Sequence, residues 1–118
     1  MIHKSLELDH ALAQRIIGVV PYKDRMPAGR LRPPVGMLRG DVRSLQEVYL
    51  LLTPDEQSLP GINLNALAEW IEHVIGDAHL ADEVRKATQS SGSYVESCIE
   101  VHALVGKRLE RARTILVV

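Results

Sequence analysis

Phenylalanine is absent from this 118-residue chain, and the few tryptophan and tyrosine residues bring the aromatic content to only 3%. Hydrophobic residues still make up 46% of the sequence, so its core must be built from leucine, isoleucine, valine and alanine. Such residues suit helix packing when they recur every three or four positions. The length is close to the commonest size of one domain, and we expect a single domain over residues 1–118.

The chain also has little net charge, a single cysteine and no long apolar run, and each of these features argues against a broad class of protein. The formal net charge of −1 provides no overall attraction to nucleic acid or to an anionic membrane. Cys98 is the only cysteine, so an intrachain disulfide is excluded and nothing calls for an oxidising compartment. Glu7, Asp9 and Arg15 interrupt the N-terminal segment before a signal-like apolar core forms, and no apolar run is long enough to cross a bilayer. We expect a cytoplasmic protein without a membrane partner.

Residues 20–43 differ in composition from the rest of the chain. They contain four of the six prolines, three glycines, six basic and two acidic side chains, which gives a net charge of +4. The remaining residues hold eight basic and thirteen acidic side chains, a net charge of −5. The prolines and glycines predict an extended basic arm or loop. Its tail, Val35–Val42, has room for a short strand or turn around Arg39–Gly40–Asp41, but is too short for a sheet.

Signals for the start and end of helices are dense outside this arm. Three Ser/Thr and Glu pairs have the spacing of a capping box: Ser44 with Glu47, Thr53 with Glu56, and Ser93 with Glu96. Together with the apolar spacing they predict helices over residues 4–17, 44–52, 54–58, from Asn63 or Asn65 to Gly76, 77–88 and 94–114. The predicted fold is all-α, a compact bundle of five or six helices with a Pro/Gly/Arg-rich arm and a long C-terminal helix.

The segment 65–81 carries a resemblance to a known family. It resembles a family of uncharacterised bacterial all-helical domains marked by an asparagine, a tryptophan five residues later with an aliphatic neighbour, and then Gly-Asp-x-x-Leu-Ala. The matching residues are Asn65, Trp70, Ile71, Gly76, Asp77, Leu80 and Ala81. Ala66 and Leu67 depart from that pattern, which has an acidic residue and a phenylalanine there. The resemblance covers residues 36–88 and implies a helical domain, but it transfers no catalytic residue.

The same segment contains candidate metal ligands. Glu69 and His73 are four residues apart on one predicted helix, and His79 and Glu83 are four apart on the next. Each pair therefore shares a helix face, and a hairpin would bring the two pairs together as a two-histidine, two-carboxylate site. Charged residues four apart are also ordinary on a solvated helix face, and no HExxH-type signature is present. Metal binding is therefore the second alternative function.

The arginines of the arm suggest nucleic-acid binding as the first alternative. Arg25, Arg30, Arg32 and Arg39 have the bidentate donors that suit phosphate groups. Tyr22 is the only aromatic residue of the arm, which leaves little for base stacking, and no DNA-binding motif lies nearby. Docking of the arm on the acidic body of its own or a neighbouring subunit explains the same charge distribution.

The last predicted helix carries a continuous seam of residues at alternating steps of three and four. The seam consists of Val95, Cys98, His102, Val105, Leu109, Ala112 and Leu116. Such a seam is typical of helix–helix packing, either within a domain or across a dimer. The apolar end, residues 115–118, favours self-association, with Leu109 and Leu116 as interaction residues. Cys98 and His102 are adjacent on this seam, and we expect them to pack rather than to form a catalytic pair.

These patterns favour a non-catalytic protein-interaction or assembly module that self-associates through its C-terminal helix. We expect a homodimer with a further protein partner that the sequence does not identify. No residue is predicted to be catalytic and no cofactor is expected. Nucleic acid through the arm over 20–43 and a metal at residues 69–83 stay open as alternatives.

Overall fold

The computed structural model describes residues 8–117 and contains five helices and three strands within them. In chain order these are α1 (His10–Ile17), β1 (Met26–Arg32), β2 (Gly36–Val42), α2 (Leu45–Leu52), β3 (Leu59–Gly61), α3 (Leu64–Trp70), α4 (Ala78–Ser90) and α5 (Tyr94–Val117). A 3₁₀ turn at Tyr22–Asp24 precedes β1, and a π-helical turn at Ile71–Ile75 extends α3.

The prediction of an all-α helical bundle is wrong, because the predicted arm folds into a β-hairpin. β1 pairs antiparallel with β2 from Met26 opposite Val42 to Arg32 opposite Gly36. β3 adds to the other side of β1, so the strand order is β2-β1-β3. The prolines of the arm do not prevent this, because Pro27 lies next to the start of β1 and Pro33–Pro34 lie in the hairpin turn.

The inner face of the hairpin packs against the helices. Met26, Ala28 and Val42 point to this face and are buried, whereas Pro27, between two of them, is exposed. Gly29 is required by a close approach of the two strands, since a Cβ there would collide with the carbonyl oxygen of Leu38. The sheet was missed because this alternation is short and glycine interrupts it.

The predicted short helix over residues 54–58 is also wrong. The Asp55 carboxylate accepts hydrogen bonds from the Gln57 backbone N–H (2.9 Å) and the Ser58 hydroxyl (2.8 Å), which forms a tight turn into β3. Thr53 does not cap a helix there, because its hydroxyl donates to the Tyr49 carbonyl at 2.9 Å.

The other helices follow their capping signals. The side chains of Ser44, Asn63 and Asp77 accept hydrogen bonds from the first turns of α2, α3 and α4. These interactions confirm the predicted starts of those helices. α1 begins at His10 after an Asp9 cap, and residues 4–7 of the predicted first helix lie outside the described residues.

The predicted helix stop at Gly76 is confirmed, with a detail that the pattern did not indicate. Gly76 has φ +90°, a left-handed conformation that glycine adopts without strain. The N–H groups of Gly76 and Asp77 both donate to the Ile71 carbonyl, at 2.9 and 3.1 Å, which closes the π-helical turn. α3 and α4 are therefore joined by a sharp turn of two residues.

α5 is the central helix of the fold and packs against α1, α2 and α4. Its buried residues include Cys98, Val101, Val105, Leu109 and Ala112. Most residues of the predicted seam are therefore buried by packing within the chain. No helix among the described residues has the length and apolar character needed to cross a membrane.

Candidate functional site

An open apolar groove of about 360 Å³ lies beside the first two turns of α5. β3 and the loop between α2 and β3 form its other walls. Its lining residues are Leu52, Pro54, Asp55, Glu56, Ser58, Leu59, Pro60, Tyr94, Val95, Cys98 and Ile99. Leu59, Val95 and Ile99 remain 41%, 45% and 51% exposed. This α5 groove is therefore a surface where large apolar side chains meet water together.

The groove has acidic but no basic lining residues. Hydrogen bonds from the Gln57 backbone and the Ser58 hydroxyl lower the pKa of Asp55, with a further contribution from the positive charge of Arg32. Asp55 therefore stays ionised at neutral pH. Glu56 follows it on the same exposed loop. The groove thus combines apolar walls with two rim carboxylates, of which Asp55 already lies 3.7 Å from the Arg32 guanidinium.

Tyr94 connects α5 to β3 at the edge of the groove. Its hydroxyl donates to the Pro60 carbonyl at 2.6 Å and accepts a hydrogen bond from the Ile62 N–H at 3.1 Å. The oxygen also lies 3.0 Å from the Ile62 carbonyl. Burial raises the pKa of Tyr94 to about 12, so the phenol is neutral over the physiological range.

Cys98 and His102 have separate environments although they are one turn apart. Cys98 is buried, and burial raises the pKa of its thiol, which disfavours the reactive thiolate. The His102 ring stacks on Tyr49 with centroids 4.3 Å apart, and its Nε2 lies 3.3 Å from the Thr53 hydroxyl. Burial lowers the pKa of His102. These surroundings are those of packing residues.

The four predicted metal ligands do not form one group. Glu69 and His73 are 3.3 Å apart, and His79 and Glu83 form a separate pair at 3.8 Å. Among residues 8–117 the one cluster with ligand atoms close enough for a metal is Glu69, Glu72 and His73. Its carboxylates already bind the Arg85 guanidinium, at 2.9 Å for Glu69 and 2.7 Å for Glu72. A cation would have to compete with this arginine.

Three of the arm's predicted interaction residues bind within the chain. Arg30 donates to the Leu51 carbonyl and the Ser58 hydroxyl, both at 2.6 Å, and ties the hairpin to the C-terminal end of α2. Arg25 forms an ion pair with Asp41 at 3.2 Å, and Arg32 lies 3.7 Å from Asp55. Of these contacts only that of Arg32 with Asp55 joins the arm to an acidic side chain outside it, because Asp41 belongs to the arm and Arg30 binds neutral oxygens.

The remaining predicted interaction residues differ in accessibility. Arg39 is exposed on β2 and forms no ion pair within the described part of the chain. Leu109 is only 2% exposed and belongs to the core, so it offers no surface to a partner. Leu116 is half-buried and packs against that core. Val118 of the predicted apolar end lies outside the described residues.

A buried ion pair between Asp77 and Arg108 was not predicted. Arg108 Nε lies 2.7 Å from Asp77 Oδ2 and Nη2 lies 3.0 Å from Oδ1, while Asp77 is only 1% exposed. Asp77 Oδ1 also accepts the Leu80 N–H at 3.0 Å. This pair joins α5 to the start of α4. The capping role of Asp77 was visible in the sequence, but its burial against Arg108 depends on the tertiary fold.

Comparison with known proteins found no match among protein-family models, curated proteins or solved structures. The resemblance of residues 36–88 to a helical family therefore stays a prediction.

Proposed function

We propose that this chain is a non-catalytic protein-interaction module whose α5 groove binds an apolar segment of another protein that also carries a basic side chain. The observation that carries the proposal is the joint exposure of Leu59, Val95 and Ile99 around one groove. Exposed apolar patches of this kind mark interaction sites more often than scattered apolar residues do.

The chemistry of the rim supports a basic side chain in the partner. Asp55 and Glu56 line the groove, and Arg32 already lies 3.7 Å from Asp55, so the charge offered to a partner is chiefly that of Glu56, which forms no ion pair with the described residues. Complementary charges at a rim contribute mainly to specificity and association rate. Apolar contacts with Val95 and Ile99 would provide most of the affinity. Full burial of such a side chain contributes about 1.5–3 kcal/mol, and about half of that is still to be gained because the two are 45% and 51% exposed.

The proposal still gives the C-terminal helix an interaction role, but it assigns that role to the first two turns of α5. Leu109 is in the core, whereas Val95 and Ile99 face the groove. Nucleic-acid binding is less well supported, because Arg25, Arg30 and Arg32 already contact groups within the chain. A cytoplasmic location fits the module, since its single cysteine is buried and needs no oxidising compartment.

A library of synthetic peptides tests the groove directly. The wild-type protein should select peptides that combine apolar residues with lysine or arginine, and Ile99→Glu should weaken their binding by at least about tenfold in fluorescence anisotropy. The physical reason is that the substitution removes apolar contact area and places a carboxylate against the apolar side chains of the bound peptide, where its desolvation is costly.

Val19→Glu is the matched control, because Val19 is also exposed but lies after α1, outside the groove. It should leave peptide affinity unchanged. Equal losses in both variants, or selection of acidic peptides, would contradict the proposed groove.

A further inference from the structure

The outer edge of β2 is open. β2 pairs with β1 on one side, and no other strand of the described residues pairs with its second side. The residues from Gly36 to Asp41 are exposed or half-buried, so the body of the protein does not cover them. An uncovered edge of this kind is a template for pairing with another strand.

The backbone groups that face this edge follow from the contact with β1. The Leu38 carbonyl oxygen points toward Gly29 on β1, as the predicted collision with a Cβ at that glycine shows. Since successive carbonyl groups of a strand point to opposite sides, those of Met37, Arg39 and Asp41 point outward. The Val20 N–H donates to the Arg43 carbonyl at 2.8 Å and ends the open stretch after Asp41.

We infer that two copies of this chain pair antiparallel through their β2 edges, with Gly40 opposite Gly40 of the second copy. This inference does not rest on the α5 groove. It joins two three-stranded sheets into one sheet of six strands around a twofold axis. The sequence of β2 identifies the partner as a second copy of the chain. When residues 38–42 of two copies run antiparallel, charged residues face opposite charges and apolar residues face apolar residues.

Charge complementarity favours this register. Arg39 lies opposite Asp41 of the second copy, and Asp41 lies opposite the second Arg39, so two ion pairs form on the outer face. Shifting the axis by one residue, to Arg39, would instead place the two arginines opposite each other. Asp41 already pairs with Arg25 of its own chain, but a carboxylate has lone pairs for two guanidinium groups.

Apolar complementarity favours the same register on the inner face. Leu38 is 44% exposed and lies on the face that Val42 shares. With Gly40 on the axis, Leu38 comes opposite Val42 of the second copy, and because Val42 is already buried by its own chain, the gain on this face comes from covering Leu38. A β2 pair therefore matches charge with charge on one face and apolar side chains with each other on the opposite face.

Charge reversal tests this pairing in solution. The wild-type chain should reach twice the monomer mass at high concentration in sedimentation equilibrium. Arg39→Asp and Asp41→Arg should each raise the dissociation constant by at least about tenfold, because each turns two attractive cross-strand pairs into repulsive ones.

Mixing the two variants provides the decisive step. One copy then carries aspartate at both positions and the other arginine at both, so every cross-strand charge pair is attractive again. The mixture should form a heterodimer at least as tight as the wild-type dimer. Lys23→Asp, a charge reversal outside the strand, should leave the wild-type association constant unchanged.

Hydrogen exchange keeps the inference testable if Asp41→Arg unfolds the hairpin through loss of the Arg25 contact. In the wild type, the Arg39 and Asp41 amides should become protected as concentration rises, while the Leu38 amide, which faces β1, should not change. A monomer at every concentration, single reversals that leave the dimer intact, or a mixture that stays monomeric would each overturn the inference.

Discussion

The two edges of the sheet differ, because the β3 edge is closed and the β2 edge is open. At β3, Pro60 lacks an N–H and its carbonyl accepts the Tyr94 hydroxyl of α5. At β2, Arg39 and Asp41 lie on an edge that no other strand among residues 8–117 covers. At β3 a proline and a tyrosine thus occupy the outward backbone groups of Pro60, whereas at β2 the outward backbone groups keep no partner among the described residues and the charges of Arg39 and Asp41 decide which strand can pair there.

The two edges also offer different chemistry to a partner. The region beside β3 presents side chains, namely Leu59, Val95 and Ile99, over a groove. The β2 edge presents backbone donors and acceptors together with the charges of Arg39 and Asp41. If both proposals hold, pairing at β2 gives a dimer that carries two α5 grooves, so the molecule binds a bivalent partner more tightly than one groove does.

The largest expected effect comes from forcing the strands of the hairpin apart. Gly29→Ala places a Cβ against the Leu38 carbonyl oxygen, a backbone atom that cannot move independently. We expect a loss of about 1–3 kcal/mol in the free energy of unfolding, which is the usual cost of overpacking. Urea denaturation monitored by circular dichroism measures it. Dimerisation through β2 should weaken as well, because the pairing of β2 with β1 that holds the strand in place is disturbed.

Gly40→Ala is the matched control for this prediction. A Cβ at Gly40 would lie 3.3 Å from the Ala28 carbonyl oxygen, so a small shift accommodates it. Its effect on unfolding should be clearly smaller than that of Gly29→Ala. Equal losses in the two variants would mean that the close approach at Gly29 does not limit the hairpin.

A smaller effect should follow from opening the β3 edge. Tyr94→Phe removes the hydroxyl that bonds the Pro60 carbonyl and the Ile62 N–H. Because these groups are only partly buried and water can replace the hydroxyl, we expect a loss of about 1 kcal/mol in the free energy of unfolding. Hydrogen exchange at the Ile62 amide should also become faster.

Tyr22→Phe serves as the comparison, since Tyr22 is 60% exposed and its hydroxyl makes no hydrogen bond to the described residues. That variant should retain the wild-type stability. A Tyr94→Phe protein as stable as Tyr22→Phe, with unchanged exchange at Ile62, would show that Pro60 alone closes the β3 edge.

The helices could be predicted because their signals are local. Ser44, Asn63 and Asp77 each bond a backbone N–H three residues away, and Gly76 ends its helix through its own φ angle. β3 could not, because its Leu59 pairs with Leu31 on β1 across a long stretch of sequence. The β1–β2 hairpin is local, but its alternation of buried and exposed residues is short and interrupted by glycine. The glycines and prolines of the strand region give it the composition of a loop, and only the strand register shows where each of them lies in the sheet.

The candidate site likewise has features that the sequence predicts and features that depend on the tertiary fold. Val95 was part of the predicted seam, and its position on α5 follows from helical spacing. The exposure of Val95 does not follow from helical spacing, because it depends on how β3 and the loop around Asp55 pack beside the helix. The Asp77–Arg108 pair likewise requires α5 to pass the start of α4, a contact that neither local sequence specifies.

A pH effect distinguishes the two edges, and we rank it smallest because Tyr94 is 41% exposed and solvent screens its phenolate. Tyr94 has a folded-state pKa of about 12, above its ordinary value of 10.0, chiefly because burial disfavours the phenolate. The neutral phenol therefore stabilises the fold fully below pH 10.0, and this contribution is lost as pH rises toward 12. Urea midpoints across this range should fall more for the wild type than for Tyr94→Phe, because the variant has no group to titrate there. The β2 edge has no tyrosine, so the difference should be the same at low and high protein concentration. Parallel pH curves for the two proteins would show that the Tyr94 hydroxyl is solvated and does not hold the β3 edge closed.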